Sequence, residues 1–346
     1  MQKNLLLLSF IWMFVACNSA KKDSVVNLPD FHKNEVTDDL DEINKQIVEN
    51  PESPNGFYKR AMYYAQQNDY RKAIEDIDRA LKISPDNPVL MYAKAEILFY
   101  AGDFETSKIY VTETLKEDPR HVDAMILQGR LLLGIPDIKG AFKNFNEVLK
   151  IDPYNADAYF YKGVIFEETE QFFDAISSYH TATEQKSDYY DAYIRLANLY
   201  TLNNDRKGLE AISSAIAIKP NSVEAWRNKG LFHLQFKEYK TAFEAFQKTV
   251  ELDPQFELGY FDMGVVYIQI YDYKPESDTT LRRAIEYFDK AIALYDEYDQ
   301  AYYNKGLCYE YLKEYNNARE SYIKSLEINP DFKPARDGLE ILKNKK

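Results

Sequence analysis

Residues Val223 to Phe256 read VEAWRNKGLFHLQFKEYKTAFEAFQKTVELDPQF, a stretch of 34 residues that decides the fold. Small residues stand at its positions 8 and 20, Gly230 and Ala242, and large residues stand at positions 4, 11 and 24. Small side chains at those two places would let a pair of helices approach closely, and Pro254 would stop the second helix. One such unit cannot bury its apolar face alone, so the sequence predicts more units stacked on it.

The same pattern recurs in phase along the chain and resembles the tetratricopeptide repeat, in which helix A, a tight turn and helix B form one unit. The resemblance implies an all-α fold, a right-handed superhelical solenoid of about eight repeats. Numbered 1 to 8, the repeats are assigned to residues 54–87, 88–121, 122–155, 156–189, 190–222, 223–256, 257–298 and 299–332. Capping helices are predicted at residues 38–53 and 333–346, because terminal repeats need a polar outer face.

Two repeats depart from the pattern. Repeat 5 lacks one residue in its turn and has Gly208 where alanine is usual, so we expect a local change in stacking. Repeat 7 has eight extra residues between Tyr267 and Ala284, which we expect to project from the surface. The first part of this insertion is predicted to lengthen helix A, which Pro275 then ends, and Ser277 or Asp278 is predicted to cap helix B.

The amino terminus, MQKNLLLLSFIWMFVAC, has the character of a secretory signal peptide. A positive charge precedes a largely apolar run of eleven residues, Leu5 to Val15, that is too short to span a bilayer. Residues 14–17, Phe-Val-Ala-Cys, resemble a bacterial lipobox. The resemblance implies a signal peptide at residues 1–16, lipidation of Cys17, and a tether at residues 17–37. A soluble secreted protein with an incidental Cys17, or a cytoplasmic protein with an apolar amino terminus, are the alternatives.

Composition excludes several kinds of function. The formal net charge is −13, which argues against nucleic acid as a partner, because phosphate binding needs a basic face. The four histidines lie in different parts of the chain without ligand spacing, and no catalytic motif is present. We therefore predict no enzyme activity, no metal site and no cofactor. Cys308, the cysteine that remains beside Cys17, is predicted to be a small buried hydrophobic residue.

The resemblance also implies that helix A of each repeat lines a concave groove through its positions 2, 5, 6, 9, 12 and 13. Candidate peptide-binding residues at these positions are Tyr58, Tyr92, Tyr100, Arg130, Phe160, Tyr161, Arg195, Asn198, Arg227 and Asn228. Arg195, Asn198, Arg227 and Asn228 loosely resemble a clamp for a peptide carboxylate. Two alternatives stay open: some aromatic rings pack between neighbouring A helices, and Arg195 and Arg227 pair within their own helices with Asp191 and Glu224.

The leading functional hypothesis is a membrane-anchored scaffold or adaptor that binds a protein or peptide segment. By resemblance, such a protein would act in bacterial envelope assembly or cell-wall maintenance, lipid-anchored at the outer membrane. The alternative is an accessory lipoprotein that binds surface glycans or nutrients, for which exposed aromatic rings would be suitable. Against this alternative, the two tryptophans are Trp12 in the signal peptide and Trp226 at a core position.

Overall fold

A computed structural model of the protein describes residues 39–273, 278–343 and 345. In these ranges the chain forms eighteen helices and no strand, so the predicted all-α repeat fold is confirmed. The predicted signal peptide, Cys17 and the tether lie outside the described residues. The chain divides into two compact units, residues 39–119 and residues 120–345, which are taken separately below.

The first unit holds repeats 1 and 2 and the helix that precedes them. Its helices are α1 (Leu40–Glu49), α2 (Pro54–Gln66), α3 (Tyr70–Ile83), α4 (Pro88–Tyr100) and α5 (Phe104–Glu117). Ile43 on α1 is fully buried, and Arg60 on α2 donates a hydrogen bond to Asn44 at 2.7 Å. Helix α1 therefore covers the apolar face of repeat 1 in the manner expected of a capping helix.

The second unit holds repeats 3 to 8 and the carboxyl-terminal helix. Its helices are α6 (Val122–Gly134), α7 (Ile138–Ile151), α8 (Ala156–Glu168), α9 (Phe172–Gln185), α10 (Tyr190–Leu202), α11 (Gly208–Ile218), α12 (Val223–Gln235), α13 (Tyr239–Leu252), α14 (Glu257–Tyr273), α15 (Asp278–Leu294), α16 (Asp299–Tyr311), α17 (Tyr315–Ile328) and α18 (Lys333–Leu342). Helices with even numbers from α6 to α16 are the A helices of these repeats. Each packs against the B helix that follows it.

Close packing between helix A and helix B depends on two positions of the repeat, 8 and 24. A Cβ atom added to Gly163 would lie 2.6 Å from the ring of Tyr179, and Gly230 meets the ring of Phe246 in the same way. Glycine at position 8 faces an aromatic ring at position 24 in five repeats: Gly129 and Phe145, Gly163 and Tyr179, Gly230 and Phe246, Gly264 and Phe288, Gly306 and Tyr322. Repeats 1, 2 and 5 have alanine at position 8 and an aliphatic residue at position 24: Ala61 and Ile77, Ala95 and Val111, Ala197 and Ile212. The summed volume of the side chains at positions 8 and 24 is therefore nearly constant from repeat to repeat, as dense core packing requires.

Repeat 5 differs from the other repeats in its turn and in helix B. Five residues separate α10 from α11, where the turn between α12 and α13 has three, so the missing residue is lost from helix B and not from the turn. Helix α11 has 11 residues, whereas helix B of repeat 6, α13, has 14. Gly208 begins α11, and a Cβ atom there would lie 3.2 Å from the ring of Phe232, which is fully buried in repeat 6. A side chain at this position would press on Thr201 of the same repeat and on the Phe232 ring of the next one, which favours glycine here.

Both helices of repeat 7 are longer than their counterparts. Helix α14 has 17 residues against 13 in α12, and α15 has 17 residues against 14 in α13. The insertion therefore lengthens helix A, as predicted, and it lengthens helix B as well. Asp278 is the first residue of α15, so this helix begins where the sequence predicts its cap. Pro275 and Ser277 lie outside the described residues.

Candidate binding surface on the A helices

We call positions 2, 5, 6, 9, 12 and 13 of the A helices the helix-A surface. In the first unit its predicted residues Tyr58, Tyr92 and Tyr100 are half-buried. Tyr58 packs against the core of repeat 1, and burial, followed by the negative charge of Glu96, raises the pKa of its hydroxyl. Tyr58 thus combines a packing role with a partly accessible edge.

Phe160 and Tyr161 are not accessible, which corrects their prediction as groove residues. Each is only 1% exposed. The Tyr161 ring stacks on Phe145 of the preceding repeat at 5.3 Å between centroids, and the Phe160 ring lies 5.0 Å from that of Tyr189. Tyr161 therefore packs against repeat 3 and Phe160 packs within repeat 4, and neither ring faces solvent.

Arg130 is also withdrawn from solvent. It is 9% exposed, and its guanidinium lies 5.9 Å from the centre of the Tyr161 ring. A guanidinium near the face of an aromatic ring is attracted by the electrons of that ring. Arg130 therefore links repeats 3 and 4, and it is a poor candidate for direct contact with a partner.

Arg195 is held by the preceding repeat. Its Nη1 lies 3.2 Å from Oε1 of Glu167, and the hydroxyl of Tyr179 donates to the other carboxylate oxygen at 2.7 Å. Burial, followed by the charge of Glu167, raises the pKa of Tyr179, so the hydroxyl remains protonated and can donate. The expected pairing of Arg195 with Asp191 in its own helix is replaced by this contact between repeats.

Arg227 is held by the following repeat. Its Nε donates to Oδ2 of Asp262 at 2.6 Å, and its Nη2 to Oδ1 at 3.4 Å. Asp262 is 1% exposed; burial raises its pKa, and the Arg227 guanidinium opposes that shift. The neighbouring Glu224 accepts a hydrogen bond from Tyr190 at 3.1 Å. The alternative that Arg227 pairs with Glu224 of its own helix is therefore wrong, because Arg227 pairs with Asp262.

Asn198 on α10 and Asn228 on α12 differ from these arginines. Both are half-buried, and neither side chain makes a hydrogen bond within the ranges that the structure describes. The Nδ2 atom of Asn228 is shielded from solvent and has no acceptor there. Each amide can donate two hydrogen bonds and accept two, so this pair on adjacent A helices keeps the capacity to bind a polar group.

The sequence identified both arginines and both asparagines, but it missed the carboxylates that hold the arginines. Glu167 and Asp262 stand at positions of the helix-A surface, which was the one sign in the sequence that they could meet the arginines. The sequence did not show which carboxylate pairs with which arginine, because Glu167 precedes Arg195 by 28 residues and Asp262 follows Arg227 by 35. Such contacts depend on how one repeat is rotated on the next.

Other kinds of site find no support in the described part of the chain. No three His, Cys, Asp or Glu side chains converge there in a way that could hold a metal ion. Among the helices with described bounds, none has the length and apolar character needed to cross a bilayer. Cys308 is fully buried, as expected for a small core residue.

Comparison with protein families decides the identity of the repeats. Two family models, both described as tetratricopeptide repeat, match residues 54–87 and 300–332, and residues 92–156 and 199–255. Together these matches cover more than half of the chain. The chain belongs to the tetratricopeptide repeat family. It is therefore a repeat scaffold of the kind that binds proteins or peptides, and members of this family are generally not enzymes.

Solved structures show the same fold at low sequence identity. The APC/C hetero-tetramer Cut9-Hcn1 contains a similar chain with a TM-score of 0.58 and 17% identity, covering 88% of this chain and 58% of that one. A tetratricopeptide repeat protein from Parabacteroides merdae has a TM-score of 0.54 and 13% identity, covering 74% of this chain and 99% of that one. At these identities the likeness concerns the fold alone.

One curated relative carries an enzyme name. The human Protein O-mannosyl-transferase TMTC3 is 28% identical over 95 residues, which is 27% of this chain and 10% of the human protein. The chain thus spans a tenth of the length of that relative, and the similarity extends to no more of it. Nothing about mannosyl transfer follows for this chain.

Proposed function

We propose that this protein is a lipid-anchored adaptor of the bacterial cell envelope, at the outer membrane, that binds a protein or peptide segment on the helix-A surface of its second unit. The observation that carries the binding half of the proposal is the pair Asn198 and Asn228. The Nδ2 atom of Asn228 is buried without an acceptor among the described residues, and Asn198, on the adjacent A helix, is half-buried and makes no side-chain hydrogen bond there. A buried polar atom without a partner destabilises a protein by about 1–3 kcal/mol, and such groups call for an explanation.

A bound main chain would supply the missing partners. Peptide groups offer N–H donors and C=O acceptors at regular intervals, and the terminal torsion of asparagine is broad enough to present either amide atom. The ion pairs of Arg195 with Glu167 and of Arg227 with Asp262 lie beside these amides and fix the A helices on which they stand. Amides held on a rigid support are suited to an extended segment.

The anchoring half of the proposal rests on the sequence alone. The apolar run that ends at Ala16 and Cys17 has the form of a lipoprotein signal. A single acyl chain gives only marginal membrane binding, whereas two or more give a stable anchor. Lipidation of Cys17 would hold the repeats at a membrane surface, where an adaptor for envelope assembly or cell-wall enzymes would act.

No specific observation favours the alternative of a glycan-binding or nutrient-binding protein. The indole N–H of Trp226 donates to the carbonyl of Pro220 at 2.9 Å, and the Lys229 ammonium lies 4.8 Å from the centre of the ring. The ring is therefore engaged by Pro220 of the preceding repeat and by Lys229 of its own repeat, and it does not form an open platform for a sugar.

The anchor is tested by labelling cells with radioactive palmitate. Because the chain has two cysteines, Cys308→Ala is a matched control for Cys17→Ser. We expect label and membrane fractionation in the wild type and in Cys308→Ala. Cys17→Ser should lose the label and should either leave the membrane fraction or remain an unprocessed, larger chain. Retention of label in Cys17→Ser, or fractionation and migration like the wild type, would refute the anchor.

A further inference from the structure

Negative side chains outnumber positive ones on the helix-A surface of repeats 4 to 6. The carboxylates are Asp157, Glu167, Glu168, Asp191 and Glu224, and the cations are Arg195 and Arg227. Arg195 is bound by Glu167, and Arg227 is bound by Asp262 of repeat 7. Both guanidiniums on this surface are therefore already neutralised by carboxylates of the protein itself, and the remaining charge is negative.

Two of the remaining carboxylates are open to a partner. Glu168 and Glu224 are exposed, and neither forms an ion pair within the described residues. Glu168 ends α8 and Glu224 lies in the first turn of α12, so they flank the A helix that carries Asn198. Burial raises the pKa of Glu168; the charge of Arg195 opposes that shift, and the charge of Glu167 adds to it. A second cation, brought by a partner, would favour the ionised form of Glu168 further.

We propose that the helix-A surface of repeats 4 to 6 selects an extended segment with two basic residues, whose main chain binds Asn198 and Asn228 and whose Lys or Arg side chains bind Glu168 and Glu224. This inference rests on the proposed adaptor function and adds the charge class of the partner. It reverses the expectation of a carboxylate clamp, because an acidic partner would have to displace Glu167 or the buried Asp262.

The spacing of the two cations follows from Arg195, whose charge acts on both Glu168 and Glu224. Interactions between exposed charges fall off over about 10 Å, so the two carboxylates are at most roughly 20 Å apart. An extended chain advances about 3.3 Å per residue, so the two basic residues should be separated by at most about six positions.

The test uses two synthetic peptides of twelve residues, identical except at two positions six apart, where one has lysine and the other glutamate. Binding to the full chain in detergent is measured by fluorescence anisotropy. We expect the lysine peptide to bind at least about ten times more tightly than the glutamate peptide. Added salt should weaken the binding, because exposed charge pairs are screened.

Variants identify the surface that binds. Glu168→Gln with Glu224→Gln should weaken the lysine peptide at least about tenfold and reduce the salt dependence. Asn198→Ala with Asn228→Ala should weaken both peptides. The matched control is Glu184→Gln with Glu244→Gln, which removes two exposed carboxylates from helix B of repeats 4 and 6. We expect this control to bind like the wild type.

Three outcomes would overturn the inference: equal binding of the two peptides, absence of binding by the lysine peptide, or equal weakening in the control variant. None of them refutes the adaptor function, which is judged separately by cross-linking from the same surface in cells. If cross-linking succeeds while charge selection fails, the adaptor stands and its partner is not basic.

Discussion

Arg227 on α12 donates two hydrogen bonds to the carboxylate of Asp262 on α14, which joins repeats 6 and 7 through a charge that is almost completely buried. Removing one partner of a buried ion pair destabilises a protein by about 3–5 kcal/mol, because the other charge stays uncompensated. We therefore expect Arg227→Ala to lower the free energy of unfolding by about that amount in chemical denaturation. A loss below about 1 kcal/mol would show that the pair does not hold the two repeats together.

The same variant should have a characteristic pH dependence. Burial raises the pKa of Asp262 and Arg227 opposes this, so the variant should raise that pKa further. A carboxyl group with a raised folded-state pKa favours the folded state at low pH, and this contribution is lost as the pH rises through that pKa. The difference in stability between wild type and Arg227→Ala should therefore grow from pH 4 to pH 8. Adding Asp262→Asn should remove this trend, since it removes the titrating group.

Glu238 should give the opposite trend. Hydrogen bonds from His233 at 2.6 Å and from Arg206 at 3.0 Å lower the pKa of this carboxyl group. A lowered folded-state pKa stabilises the folded state above the unfolded-state pKa of about 4.5, and this contribution is lost as the pH falls through the folded-state pKa. Glu238 is about a third exposed, so we expect Glu238→Gln to destabilise by less than about 1 kcal/mol at pH 7. Thermal unfolding at pH 7 and pH 3 measures the effect, and a larger difference at pH 3 would contradict it.

Gly230 and Phe246 test the relation between positions 8 and 24. A Cβ atom at Gly230 would collide with the Phe246 ring, and overpacking typically destabilises by about 1–3 kcal/mol. We expect Gly230→Ala to lower the free energy of unfolding by that amount. Gly230→Leu should unfold the repeat locally, with new protease cleavage near it. Phe246→Ile alone should also destabilise, by leaving a cavity. Since repeat 1 combines Ala61 with Ile77, the double variant Gly230→Ala, Phe246→Ile should lose less than the sum of the single variants. Strict additivity would argue that the two positions do not share one volume.

The insertion in repeat 7 should be dispensable for folding. In repeat 6, three residues form the turn between the end of α12 and the start of α13. Deleting Asp272 to Asp278 leaves four residues between the corresponding positions of repeat 7, Gln269 and Leu281, which is enough for such a turn. The deletion keeps Tyr271, whose ring stacks on Tyr311 at 5.6 Å between centroids. We expect the helical circular dichroism signal and the cooperative unfolding of the wild type. Loss of cooperative unfolding would mean that the added turns of α14 and α15 belong to the core.

Sequence reasoning succeeded where the determinant lies within one repeat. The glycine or alanine at position 8 and the side chain at position 24 are 16 residues apart in a fixed helical hairpin, so their contact in repeat 6, between Gly230 and Phe246, follows from spacing. It failed where the partner lies in another repeat. The Tyr161 ring stacks on Phe145 of the preceding repeat. Arg195 and Arg227 pair with carboxylates of other repeats, which helix periodicity does not reveal.

The most direct test of the adaptor account is photo-cross-linking in cells from a single position on the helix-A surface. A photoreactive phenylalanine at Leu231, half-buried on α12 beside Asn228, should cross-link a defined protein in the membrane fraction. The same residue at Glu244, exposed on helix B of the same repeat, should not. Loss of the Leu231 product in Asn198→Ala with Asn228→Ala would locate the contact at the amide pair. A product formed equally from both positions, or from Glu244 alone, would contradict the assignment of the helix-A surface as the binding site.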